Sequence, residues 1–112
     1  MARDEEMERR FMSALPETVA VGEKAMMGGL CYMLNGNMLG GVRRDKDGVG
    51  RFMFRVGKEQ EEEALGEPLT EPMIHGGRKM GGFIFLNEET RDGPLKTLAL
   101  MALDYVGALP PK

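Results

Sequence analysis

The chain has 112 residues, 42% of them apolar and 29% charged, with a net charge of −3 and a single cysteine. This length holds one domain, residues 1–112, around one core, and the apolar share excludes a disordered chain. The acidic balance argues against a protein that lives by gripping phosphate backbones. A lone cysteine excludes an internal disulfide and fits a reducing compartment.

The start, Met1-Ala2-Arg3-Asp4-Glu5-Glu6, is charged and has no apolar stretch of a signal peptide. No apolar run reaches the ~20 residues needed to span a bilayer, so a cytoplasmic protein without a membrane partner is expected. From Asp4 to Leu15 the apolar residues Met7, Phe11, Ala14 and Leu15 fall on one helical stripe. Acids precede arginines there, the order the helix dipole favours, and Pro16 stops the helix. Thr18 to Ala25 reads as an extended lead-in, and Gly28-Gly29 as a bulge or bend. Leu30–Leu34, Asn37–Val42 and Gly50–Val56 read as strands. Asn35-Gly36 and Asp47-Gly48 separate them, dipeptides suited to tight hairpins because both residues tolerate positive φ. In the last of these strands Phe52, Phe54 and Val56 share one face, and Arg51, Met53 and Arg55 the other.

Gly57 to Leu65 reads as a short acidic helix, with Gly66 and Pro68 beyond it. Pro72–His75 is expected as an edge strand, Gly76–Gly82 as a loop and Phe83–Leu86 as the last strand. Asp92 is placed to cap a final helix, with Pro94 in its first turn. Its apolar arc, from Leu95 and Leu98 to Tyr105 and Leu109, is wider than a small sheet needs, and Leu100 lies outside it. Strands joined by tight turns, with helices around them, predict an α+β fold. Its expected form is a two-layer antiparallel sheet of about five to six strands with the helices on one face.

Candidate chemistry is sparse. His75 is the sole histidine, and no second ligand stands at metal-binding spacing, so no metal or cofactor is expected. Cys31 lies in an apolar strand, where a thiol acts as a small hydrophobe. The eleven methionines invite a copper(I) reading, but without a tight cluster core filling explains them better. Glu59, Glu61, Glu62 and Glu63 read as a solvated helix face. The Gly76–Gly82 loop, with Gly77, Arg78 and Lys79 in it and Arg55 and His75 nearby, offers flexible backbone and positive charge to an anion, or simply a soluble strand connection. Arg43, Arg44 and Arg51, with Lys46 and Arg55, concentrate charge on one hairpin. They suit a small nucleic-acid footprint, though without interleaved aromatics, and equally a blunted sheet edge.

Several motifs, in their serial order, carry a family resemblance. These are Met26-Met27-Gly28-Gly29-Leu30, Leu34-Asn35-Gly36-Asn37-Met38, Phe54-Arg55-Val56-Gly57, Gly76-Gly77-Arg78-Lys79-Met80-Gly81-Gly82-Phe83 and the closing Tyr105–Lys112. From about Glu23 onward the chain resembles the TfoX N-terminal domain-like family (TfoX/Sxy), in its stand-alone form. Met27 stands where that family usually carries an aromatic residue. The resemblance implies a compact α+β fold similar in outline to secretion chaperones, and it supplies no catalytic residues.

The expectation is therefore a small non-enzymatic interaction or regulatory module, partnered by a second copy or another protein. Leu100 and Leu103 of the last helix are the candidate dimer interface. A nucleic-acid-associated regulator and a small-ligand or anion binder are the alternatives.

Overall fold

The computed structural model describes residues 4–112. The charged start Met1-Ala2-Arg3 lies outside the described residues. Helix α1, Glu5–Ser13, is capped by Asp4, whose carboxylate accepts from the Met7 N–H at 3.4 Å. Four strands follow as a meander: β1 Gly22–Met26, β2 Gly29–Leu34, β3 Asn37–Arg44 and β4 Gly50–Arg55. A 3-10 turn at Lys58–Gln60 runs into the one-turn helix α2, Glu61–Ala64. Strands β5 Thr70–His75 and β6 Arg78–Asn87 form a hairpin, and helix α3, Asp92–Gly107, closes the chain. The sheet order is β1-β2-β3-β4-β6-β5, and every neighbouring pair is antiparallel. This is the α+β architecture expected from the sequence.

The turns show which local expectations held. Asn35 and Gly36 have φ of 54° and 80°, the paired positive values of a two-residue hairpin. Asp47-Gly48 differs. Only Gly48 has positive φ, its N–H donates to Asp45 O, and Asp45 N–H donates to Val49 O, so the dipeptide ends a longer loop. The expected bend at Gly28-Gly29 is instead a tight turn at Met27-Gly28, with φ of 55° and 78°. Gly29 is the first residue of β2, where a Cβ would lie 2.0 Å from Val42 O. The expected loop Gly76–Gly82 shrinks to Gly76-Gly77, both at positive φ, and Arg78 to Gly82 belong to β6. Pairing to β5, where Lys79 stands opposite Ile74 and Arg78 opposite His75, captures the start of this glycine-rich stretch and overrides its weak strand propensity. Asp92 does not cap α3. It is the first helical residue, after Arg91.

The main core lies between the sheet and the helices. Phe11 of α1 stacks on Tyr32 at 4.5 Å between centroids and on Phe54 at 5.2 Å. Phe52, Val56, Ile84 and Leu86 join them from the sheet, Ala64 from α2, and Leu95, Leu98, Ala99, Ala102 and Val106 from α3. The wide arc of α3 is thus largely absorbed, with Leu103, Tyr105 and Leu109 packed at the core's rim. The opposite face carries a second cluster of Cys31, Met53, Met73 and Phe85, with Met26, Met27, Met33, Met38, Met80 and Phe83 around them. Every member lies on a strand or in the β1–β2 turn, and among the described residues no helix contributes to it. Among the described residues no helix is long and apolar enough to cross a membrane.

Candidate functional site

Arg43 organises the face away from the helices. It sits in β3, yet its Nη2 donates to Ile74 O at 3.2 Å and its Nη1 to His75 Nδ1 at 3.1 Å, both on the far edge strand β5. Nη1 also donates to Met27 O in the β1–β2 turn at 3.3 Å. One side chain therefore spans β4 and β6 and ties both ends of the sheet together, which requires that face to be concave. The guanidinium lies over Phe85, 4.6 Å from its centroid, and the Arg43 side chain is only 9% exposed. Its Nε stands 2.7 Å from Asp45 Oδ1, close enough for charge pairing but off hydrogen-bond alignment. This strap, together with the curl of the sheet, accounts for fully buried Cys31, Met53 and Met73 on a face without helices.

The other hairpin cations are also engaged. Arg44 pairs with Asp4 at 2.6 Å and Glu88 at 2.9 Å. Glu88 is held below the usual carboxylate range by Arg44 and by the Gly50 N–H that it accepts at 2.7 Å. Arg51 pairs with Asp45, with Asp47 at 3.3 Å and with Glu71 at 2.8 Å. Asp47 is lowered first by the Val49 N–H and then by Arg51. The three arginines of the expected nucleic-acid footprint thus share one groove of about 720 Å³ with His75 and Gly76, and each faces carboxylates of its own chain.

The residues expected together at an anion site are separated. His75 belongs to the Arg43 groove, whereas Arg55 lines a second pocket of about 600 Å³ at the other end of β4. Arg78 pairs in register with His75, but Gly77, Arg78 and Lys79 line neither cavity. Lys79 pairs with Glu61 at 3.1 Å. Glu61 also accepts from Gly82 N–H at 2.6 Å, which, with Lys79, lowers its pKa. One carboxylate of the acidic run thereby fixes the start of α2 to β6.

Around Arg55 the structure assembles groups that no local pattern joined. The guanidinium carbon lies 5.8 Å from the Phe83 ring centroid and 5.7 Å from that of Tyr105. Gly57, at φ 82°, makes room for this arrangement, since a Cβ there would lie 2.4 Å from Tyr105 Cδ1. Gly82, also at φ 82°, accepts from both Val56 N–H and Gly57 N–H and closes the floor. The one advance signal is Arg55 lying on the face of its strand opposite Phe52, Phe54 and Val56. Tyr105 was read only as part of an apolar stripe.

Cys31 is buried, its thiol directed to Met26 O at 3.6 Å, and burial pushes its pKa up. It behaves as the small hydrophobe expected. Leu100 is 46% exposed and Leu103 half-buried. The helix neighbours of Leu100 one turn away include the exposed Lys96, Thr97 and Asp104. Among the described residues no group of three His, Cys, Asp or Glu side chains is placed to hold a metal. Comparison with family models, curated proteins and solved structures finds no match to this chain.

Proposed function

We propose that this chain is a small, non-enzymatic interaction or regulatory module of the TfoX N-terminal kind, working in the cytoplasm, and that it receives a protein partner on its methionine-lined face. One observation carries the reading. Seven of the eleven methionines belong to the cluster that no helix covers, and five of these, Met26, Met27, Met33, Met38 and Met80, are only half-buried. Thioether side chains are flexible and polarizable, so a surface of them fits apolar segments of varied shape. This face replaces Leu100 and Leu103 as the preferred interface, because Leu103 already packs on the main core and Leu100 stands beside polar neighbours. A nucleic-acid role is the weaker reading, since Arg43, Arg44 and Arg51 are neutralised by carboxylates within the chain.

The first partner to test is a second copy. Light scattering at micromolar concentration should show an oligomer that the Met33→Glu, Met38→Glu double variant dissolves, with its circular dichroism unchanged. A wild-type monomer removes the homodimer. For another protein partner, the double variant should lose an association that the wild type keeps in co-purification from its own cells. Equal retention by both would sink the role of this face.

A further inference from the structure

We infer that the pocket around Arg55 is a binding site for a small carboxylate with an apolar body. Four arginines among the described residues are half-buried: Arg10, Arg43, Arg51 and Arg55. The first three are held by carbonyls or carboxylates. Arg10 donates to Glu88 O and Thr90 O, Arg43 to Met27 O and Ile74 O, and Arg51 pairs with Asp45 and Glu71. Arg55 has ring contacts and no ion-pair or hydrogen-bond partner among the described residues. A guanidinium held by aromatic rings is oriented without using its N–H donors. Those donors form the planar fork that binds a carboxylate through two parallel hydrogen bonds.

The surroundings select the rest of the ligand. At about 600 Å³ the pocket falls within the ordinary range for small molecules. Phe83, Tyr105, Val56 and Leu109 give it apolar walls. Lys58 adds a second cation, and its Cε lies 3.0 Å from where a Gly81 Cβ would stand, so the stem of Lys58 crosses the bare glycine. Glu59 and Asp104 also line the pocket. Two cations against two acids favour a single negative charge over a phosphate dianion, which the acids would repel. The unpaired fork against aromatic walls therefore points to a monoanion such as an aryl or alkyl carboxylate.

The test uses the whole chain labelled with ¹⁵N and titrated with benzoate, with benzamide as its uncharged isostere and inorganic phosphate as the dianion. Benzoate should move the amide signals of Gly57, Lys58 and Gly82 and the Arg55 Nε–H in a saturable way. Benzamide and phosphate should bind roughly tenfold more weakly or worse. Arg55→Gln should weaken benzoate by roughly tenfold or more while the remaining amide spectrum stays in place. Tyr105→Phe, which keeps the ring, should bind like the wild type. No saturable shift below about 50 mM benzoate in the wild type overturns the proposal without any variant needing to fold. Shifts confined to the Arg43–His75 groove, equal affinity for benzamide or phosphate, or binding unchanged in Arg55→Gln overturn it as well.

Discussion

On the helix side of the sheet the packing side chains are Phe11, Tyr32, Phe52, Phe54, Ile84 and Leu86. On the other side they are Cys31, Met53, Met73 and Phe85, ringed by five further methionines and Phe83. The first face is covered by three helices and held by stacked rings, whose shape specifies a single packing. Among the described residues no helix lies over the second. It is closed by curvature and by one arginine that reaches from β3 to both the β1–β2 turn and β5. The centres of two apolar faces of one sheet are thus buried by different means, one through complementary packing and one through a charged strap over flexible side chains. Such a strap is dense in hydrogen bonds and depends on one residue.

Substitutions on each face should separate these mechanisms. The largest loss is expected for Phe54→Ala, which removes a ring stacked on Phe11 and leaves a cavity beneath the helices. A cost of about 3–5 kcal/mol should appear as a lower urea midpoint. Arg43→Ala comes next, at about 2–4 kcal/mol, because it orphans Met27 O and Ile74 O and uncovers Phe85, while Asp45 keeps Arg51. Hydrogen exchange in this variant should accelerate first in the β5–β6 hairpin, and uniform acceleration would deny the strap its local role. Met53→Leu conserves volume and should cost under about 1.5 kcal/mol, the tolerance expected of a thioether-built cluster. A loss as large as that of Phe54→Ala would mean that both faces are equally specified.

The smallest effect is electrostatic. Arg44 and the Gly50 N–H lower the Glu88 pKa below its ordinary 4.5 in the folded state. A carboxylate depressed by folding contributes stability above its unfolded pKa and loses it as pH falls through the lower folded value. Urea midpoints of the wild type and Glu88→Gln should therefore differ at neutral pH and converge as the pH drops below about 4.5. A gap that persists into acid would assign the stabilisation to packing instead.

Much of the architecture was legible locally. Alternation placed Phe52, Phe54 and Val56 against Arg51, Met53 and Arg55, and those sides hold in the structure. Asn35-Gly36 specified its turn because its backbone geometry is encoded in two adjacent residues. The turn at Met27-Gly28 was hidden because methionine seldom adopts positive φ, and pairing of β1 with β2 imposes it. The extension of β6 back to Arg78 was hidden for the same kind of reason, since pairing with β5 imposes it on a glycine-rich segment of weak strand propensity.

The candidate sites were the least legible. Arg43 and His75 were assigned to different chemistries, yet they meet across two intervening strands. Arg55 and His75 were grouped, yet they line separate cavities.

What the sequence by itself determined was most of the elements, the Asn35-Gly36 hairpin and the apolar face that the helices cover, because these follow from neighbours within a few residues. The tertiary structure alone decided that the sheet curls enough for Arg43 to bridge its ends, and that Arg55 lies between rings from β6 and α3. Both outcomes depend on distances between segments far apart in the chain, set by strand order and curvature, which no local pattern encodes.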